Sequence, residues 1–169
     1  MGSSKSRSRL MKILALGLAF ALLIVGSVQA SVMCQTFSIE LRTATQTVRF
    51  RVELATSPET RASGLMNRPA LAKGAGMLFA YDVPQRAQFW MRNTLIPLDL
   101  IFANAQGLVT QVHPHAKPLD ETIINGGQNV KYVLEINAGL AKLLQITPGT
   151  VMRHPLIENS IAIWPCNAQ

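Results

Sequence analysis

The chain has 169 residues, and its 16 lysines and arginines exceed its 9 acidic residues to give a formal net charge of +7. Four of these cations, Lys5, Arg7, Arg9 and Lys12, precede residue 31, so residues 31–169 carry 12 cations against 9 acids. Such a small excess, without a basic run interleaved with aromatic residues, argues against a nucleic-acid-binding protein.

The first thirty residues have the pattern of a secretory signal. The four cations precede an apolar run over residues 13–25, and Val28 and Ala30 place small residues before a cleavage point at Ser31. The run has about 13 residues, whereas a membrane-spanning helix needs roughly 20. We therefore predict a cleavable signal peptide over residues 1–30 and a periplasmic or secreted mature protein. An uncleaved anchor, which would hold the protein at the membrane through residues 1–30, is the alternative.

Residues 31–169 have the length of one globular domain. Cys34 and Cys166 lie near its two ends, and an even number of cysteines in an oxidising compartment favours pairing. We predict a disulfide between them, with two free thiols as the alternative. Closing a loop of roughly 130 residues would stabilise the fold by about 4–5 kcal/mol in the chain-entropy account.

Strand signals dominate the first half of this domain. Residues 35–55 alternate apolar and polar side chains on either side of a polar break at 43–46, which predicts a strand pair. Ser57 and Pro58 then provide the cap and the first-turn proline of a short helix extending to about Met66. Further strands are predicted over residues 76–81 and 87–91.

The second half continues with a hairpin, a long loop and a helix. Residues 98–103 and 108–113 are predicted strands joined by a turn at 104–107. Residues 114–129 contain two prolines and a Gly-Gly pair, which predicts a long loop of the kind that often binds ligands. The remaining predicted elements are a strand over 130–136, a helix over 138–145 capped by Asn137, and short strands near 151 and over 161–164.

The number of short strands predicts the fold class. Many strands with two short helices are typical of a mainly β, single-domain β-sandwich or barrel.

Several segments of the domain form a recognisable set of motifs. They are Gly-Leu-Met at 64–66 between Arg61 and Arg68, Gly-Met-Leu-Phe at 76–79, the run from Phe-Trp-Met-Arg-Asn-Thr to Phe at 89–102, and Tyr-Val-Leu-Glu-Ile-Asn-Ala-Gly at 132–139. This set resembles the bacterial and archaeal family called domain of unknown function 192, over about residues 48–151. The resemblance implies a compact, jelly-roll-like β-sandwich that is often secreted, and it implies no reaction. Thr60 stands where the family often has a glutamate, so an ion pair made by that glutamate is not expected here.

The segment from Asn93 to Asp99 carries the strongest signal of a site. Asn93 turns the chain after the strand that ends near Trp90, and Asp99 lies among apolar residues of the next strand. A buried carboxylate needs a partner. Asp99 therefore either caps the turn at 93–94 or pairs with an arginine, for which the candidates are Arg61, Arg68 and Arg92. Alternatively, it meets a ligand in a polar cleft with Asn93 and an arginine.

Arg68 and Glu135 complete the predicted ligand-binding set, which also contains Trp90, Asn93 and Asp99. The guanidinium of Arg68 can bind a carboxylate or a phosphate, although pairing at the surface is the alternative. Glu135 lies where a strand passes into a helix, and an ion pair or a capping role is the alternative there.

A metal-like spacing occurs at His113 and His115. Histidines two apart on an extended chain share a face and can chelate, and Met66, Met77 and Met91 would add soft ligands suited to copper. The alternative is that the methionines fill the core and that two histidines lack the remaining ligands.

Sequence motifs of common enzymes and of cofactor binding are missing, so no cofactor is indicated. We expect a monomeric binding or accessory module whose partner is a small molecule or an envelope protein. Its cleft would lie around residues 93–99 and the loop at 114–129. A second hypothesis is a small hydrolase or lyase with Asp99 or Glu135 as base and Arg68 as anion holder. A third is periplasmic copper handling through His113 and His115.

Overall fold

Alternating apolar residues build the first two strands. β1 (Ser38–Arg42) pairs antiparallel with β2 (Thr47–Ala55), and both strands bury their apolar positions in one interior. The computed structural model describes residues 34–167, so the predicted signal over residues 1–30 lies outside its described part. Between residues 34 and 167, no helix is long and apolar enough to cross a membrane.

One seven-stranded sheet contains all the strands, in the order β5-β4-β6-β3-β2-β1-β7. Neighbouring strands are antiparallel except β2 and β3, which run parallel because the connection between them contains a helix. The remaining elements are α1 (Pro58–Ser63), β3 (Ala75–Phe89), β4 (Leu98–Ala103), β5 (Val109–Ala116), β6 (Ile124–Asn137), α2 (Leu140–Leu143) and β7 (Val151–Arg153).

The sheet curls into a half-barrel, and an isolated bridge connects the first and last strands of its order. This bridge joins Leu108, just before β5, to Val151 at the start of β7. The amide of Val109 donates to the carbonyl of Thr150 at 2.8 Å, next to that bridge. The curled sheet encloses an inner apolar core, to which Ile39, Phe50 and Leu134 contribute.

A second apolar core covers the opposite face of the sheet. Successive residues of β6 alternate between the two cores, with Leu134 in the inner core and Val133 in the outer one. Leu65, Met91 and Ile96 lie outside the strands and pack against the outer core. The segments around α1 and before β4 therefore form a layer over the outer face of the sheet.

The mainly β, single-domain fold class is confirmed, and the sheet takes the barrel-like form. The predicted strand pair is β1 and β2, and the hairpin is β4 and β5. Ser57 caps α1 as predicted: its side chain accepts from the amide of Thr60, whose hydroxyl accepts from the Ser57 amide. α1 ends at Ser63, earlier than predicted. Residues 76–81 and 87–89 belong to the single strand β3, which ends at Phe89 rather than at the predicted Met91.

The prediction of a long loop over residues 114–129 is wrong. β5 continues through Pro114 to Ala116, and β6 already begins at Ile124. Pro114 is tolerated because β5 is an edge strand that pairs with β4 on one side. The amide that proline lacks is not needed for hydrogen bonds to a second neighbouring strand. Gly126 allows close packing within β6, since a Cβ there would lie 2.2 Å from a ring carbon of Phe102.

Two further predicted elements need correction. The second helix covers only Leu140–Leu143, and its N-cap is Gly139 rather than Asn137. The side-chain amide of Asn137 instead donates to the carbonyl of Leu71 at 2.9 Å. Residues 161–164 form turns rather than a strand.

The predicted disulfide between Cys34 and Cys166 is present and joins the two ends of the domain, with their Cα atoms 5.4 Å apart. Trp164 lies nearby in sequence and packs against two arginines, with the guanidinium carbons of Arg42 and Arg153 at 4.7 and 4.1 Å from its ring centroid. These contacts hold residues 154–167, which form no helix or strand, on the sheet.

Replacing Gly126 with alanine tests the packing of Phe102. We expect Gly126→Ala to lower the free energy of unfolding by roughly 1–3 kcal/mol, because the added methyl group overlaps the ring. Gly74→Ala is the matched control: its Cβ would meet no atom within 4 Å, and we expect a change within about 1 kcal/mol. Urea unfolding measures both, and equal stabilities of the two variants would contradict this packing.

Candidate functional site

A cavity of about 330 Å³ opens between α1 and the outer face of the sheet. Four aromatic side chains line it, namely Phe79, Tyr81, Phe89 and Trp90. Its polar lining consists of Arg61, Ser63, Gln88, Thr94 and Glu135. Small-molecule sites usually combine apolar and aromatic walls with a few convergent polar groups, and this cavity has both.

Edge-to-face packing fixes the aromatic wall of the cavity. The ring centroids of Phe79 and Phe89 are 5.2 Å apart with an interplanar angle of 84°, and those of Phe89 and Phe102 are 5.8 Å apart at 76°. Gly64, after α1, has φ of +49°, and a Cβ there would lie 3.3 Å from Phe79. The rings of this wall are therefore tightly packed, whereas Trp90 at the cavity is 47% exposed.

Arg61 extends from α1 and is held by backbone carbonyls. Its Nη1 donates to the carbonyl oxygens of Thr56 at 2.6 Å and Ala80 at 2.9 Å. The guanidinium carbon lies 5.1 Å from the ring centroid of Tyr81. Within residues 34–167, its Nε and Nη2 make no hydrogen bond, which leaves one edge of the guanidinium available.

Glu135 is the carboxyl group of the cavity. It comes from β6 and is opposite Met77 of β3 and Leu100 of β4, so apolar residues flank it on both sides. It is only 5% exposed, and no described residue donates a hydrogen bond to it. Burial raises its pKa to about 8, because the ionised carboxylate loses water and gains no compensating partner.

Tyr81 lies within electrostatic range of both charged positions of the cavity. Burial raises the pKa of its hydroxyl, with a lowering contribution from Arg61 and a raising one from Glu135. The hydroxyl therefore stays protonated near neutral pH.

Residues 39–154 match the family DUF192, described as uncharacterized ACR. The chain belongs to this family. Two solved structures are similar to this DUF192 chain. A protein of unknown function from Novosphingobium aromaticivorans DSM 12444 is 40% identical with a TM-score of 0.67, covering 68% of this chain and 82% of that one. A putative transcription regulator from Sinorhizobium meliloti 1021 is 38% identical with a TM-score of 0.68, covering 72% and 95%. No curated protein matches the chain significantly.

The structure brings together only two of the five predicted ligand-binding residues of this DUF192 protein. Trp90 and Glu135 both line the cavity. Asn93 lies outside its lining, where it has φ of +54° and its carbonyl accepts from the amide of Asn67 at 2.8 Å.

Asp99 is fully buried and holds the backbone. Its two carboxylate oxygens accept from the amide of His115 at 2.9 Å and from the amide of Ala141 at 2.8 Å. The expected cap of the turn at 93–94 and the expected arginine partners are therefore replaced by two amides distant in sequence. This arrangement fixes the end of β5 and the start of α2 on β4.

Arg68 forms a bidentate ion pair with Glu53, with Nη2 and Oε2 at 2.8 Å. The pair lies near a different depression, lined also by Phe37 and Leu71. Arg68 therefore forms the surface ion pair that is the alternative to ligand binding.

His113 and His115 line another cavity, of about 290 Å³, together with Met91 and Asp120. In the described part of the chain, no group of three or more His, Cys, Asp or Glu side chains is placed to hold a metal ion. Met66 lines the Glu135 cavity, and Met77 is buried in the outer core.

Sequence reasoning missed the roles of Arg61, Tyr81 and Phe79 at the cavity. Arg61 was a candidate only as a partner of Asp99, yet its position before the Gly-Leu-Met motif was visible. Phe79 and Tyr81 are two apart on β3, and this spacing puts both side chains on the face that Glu135 shares.

Glu135→Gln tests the buried carboxyl through stability. Unfolded Glu135 ionises near 4.5, whereas the folded protein keeps the proton up to about pH 8. Between pH 4.5 and about 8, the folded state therefore carries one more proton on Glu135 than the unfolded state does. The contribution of Glu135 to the free energy of unfolding falls progressively as the pH rises through this range. We expect Glu135→Gln to be more stable than the wild type at neutral pH, by an amount that grows by roughly 1.4 kcal/mol per pH unit.

Thermal unfolding of the wild type and of Glu135→Gln between pH 4.5 and about 8 measures this stability difference. Glu121→Gln, at an exposed position, is the control and should show no such pH-dependent difference. A constant stability difference between the wild type and Glu135→Gln at all these pH values would contradict the assignment.

Proposed function

We propose that this protein is a small-molecule-binding module whose ligand enters the cavity between α1 and the sheet and contacts Glu135. One observation carries the proposal: Glu135 is 5% exposed, receives no hydrogen bond from the described residues, and has its carboxyl oxygens open to the cavity that it lines. Burying a polar group without a partner destabilises a fold, so such groups are concentrated where a ligand completes them.

Other buried charged residues of the same domain support this argument by contrast. Asp99 accepts two backbone amides. Glu40 receives hydrogen bonds from Arg49 and Arg153, which outweigh its burial and lower its pKa. Glu135 differs from these because only a ligand or solvent in the cavity can satisfy it.

An acid–base enzyme is the second candidate, favoured by the pKa of about 8 of Glu135, which suits proton transfer near neutral pH. Hydrolysis with two carboxylates would need a second acid at the cavity. Among the described lining residues, Arg61 and Tyr81 are the other titratable groups. Neither Asp99 nor Arg68 lines the cavity. The hypothesis of a hydrolase or lyase with Asp99 as base and Arg68 as anion holder therefore has no support from the cavity. Binding is therefore the favoured function.

We further propose that the protein works in the periplasm or outside the cell. The support comes from the four cations, the apolar run over residues 13–25 and the small residues before Ser31, together with the Cys34–Cys166 disulfide. The partner is a small molecule, and an envelope protein is the alternative.

The mass of the protein isolated from cell fractions tests export. We expect it in the envelope or the medium, beginning at Ser31 and carrying no alkylatable thiol before reduction. The double variant Cys34→Ser/Cys166→Ser, which has no thiol, is the control for thiol labelling. Recovery from the cytosol with Met1 attached would contradict this proposal.

Fluorescence of Trp90 tests binding, because this side chain lines the cavity and only one other tryptophan, Trp164, is present. In a Trp164→Phe background, a library of small organic acids, amines, alcohols and sugars should include compounds that change the emission saturably. We expect Glu135→Leu to weaken them about tenfold or more, since a buried hydrogen bond to the ligand is lost.

Glu121→Gln is the matched control for this assay and should bind like the background. The proposal fails if no compound in the library gives a saturable change, or if the compounds that do so bind Glu135→Leu equally well.

A further inference from the structure

We propose that the cavity takes a small organic monocarboxylate with an apolar or aromatic body, whose carboxylate pairs with Arg61 and also accepts a hydrogen bond from Glu135. This inference rests on the proposed binding function and adds the chemical class of the ligand.

The charge of the lining favours an anion. Among the described residues of the cavity, Arg61 is the cation and Glu135 the carboxyl group. Because the pKa of Glu135 is about 8, this group is mostly neutral at pH 7, and the cavity carries one positive charge. An ammonium ligand would meet the like charge of Arg61 and would find little ionised carboxylate to pair with.

The geometry of Arg61 suits a carboxylate. Its Nη1 is occupied by the carbonyls of Thr56 and Ala80, and Tyr81 lies against the guanidinium plane. These contacts hold the group in one orientation before any ligand arrives. The Nε–Nη2 edge, which has no hydrogen-bond acceptor within residues 34–167, can form two parallel hydrogen bonds to one carboxylate.

The remaining lining suits the apolar part of such a ligand. Phe79 and Phe89 form a wall of packed rings, and Trp90 offers a partly exposed ring. A cavity of about 330 Å³ lies at the small end of ligand sites, which excludes large or highly branched acids.

The protonated form of Glu135 is the one that donates. The titratable groups that share the cavity with it are Arg61 from α1 and Tyr81 from β3, while β3 and β4 place Met77 and Leu100 on either side of it in the sheet. Ionised Glu135 would repel the carboxylate of the ligand. Affinity should therefore fall about tenfold per pH unit once the pH exceeds the pKa of this group.

Three probes of similar shape separate the possible ligand classes: phenylacetate, phenethylamine and 2-phenylethanol. Calorimetric titration of the full mature protein should rank phenylacetate first at pH 7. Its affinity should be roughly constant below pH 8 and about tenfold lower at pH 9. In Glu135→Gln, which keeps a donor and cannot ionise, phenylacetate should bind with no such decline.

Arg61→Lys keeps the charge and removes the two-pronged edge, and we expect it to weaken phenylacetate about tenfold while leaving 2-phenylethanol unchanged. Arg86→Lys, outside the cavity, is the matched control and should bind phenylacetate as the wild type does. The pH profile of the unmodified protein keeps the test decisive if Arg61→Lys fails to fold.

The outcomes that overturn the inference differ from those that overturn the binding function. Preference for phenethylamine, with affinity rising between pH 6 and 8, rejects a carboxylate ligand and leaves the cavity as a binding site. Failure of phenylacetate to bind at millimolar concentration also rejects the inference, while saturable binding of any library compound at Trp90 would retain the binding function. Loss of both signals rejects both proposals.

Discussion

Burial of β6 on both faces is the constraint on which the structure depends. Residues 132–136 of this strand are buried without interruption, so the sheet needs an apolar layer on each side. The inner layer comes from the curl of the sheet, and the outer one from α1, the residues after it and the segment before β4. The cavity exists because this outer layer covers the sheet incompletely, and Glu135 is the member of the buried run that faces the gap.

The buried polar groups of the domain differ in whether other residues satisfy them by hydrogen bonds. Asp99 and Glu40 connect separate parts of the chain and are satisfied by amides or arginines. His154 is also satisfied: its Nδ1 accepts from the amide of Leu156 at 3.1 Å, so its Nε2 donates to the carbonyl of Thr36 at 2.8 Å. Burial lowers its pKa and keeps the ring neutral. Glu135 makes no comparable bond with the described residues, and its stability penalty is consistent with selection for binding rather than for architecture.

Local patterns predicted what is determined locally. Alternation identified β1 and β2, Ser57 identified the start of α1, and the two cysteines identified the disulfide. Pro114 and Gly126 were misleading because their normal role as strand breakers is overruled by an end position in the sheet and by the ring of Phe102. The partners of Asp99 are 16 and 42 residues away, and no local pattern encodes such contacts. Glu135 was a candidate from the sequence, but its apolar surroundings depend on the strands that pair with β6.

The pairing of β1 with β7 determines when the fold can be completed. Arg42 is aligned with Val151, so the first strand of the sheet acquires its outer neighbour from a segment about 109 residues further along the chain. Contacts between such distant parts of a chain form slowly, because a long loop must close before they stabilise anything. A chain synthesised only as far as β6 therefore has an open sheet edge at β1, which closes when β7 pairs with it.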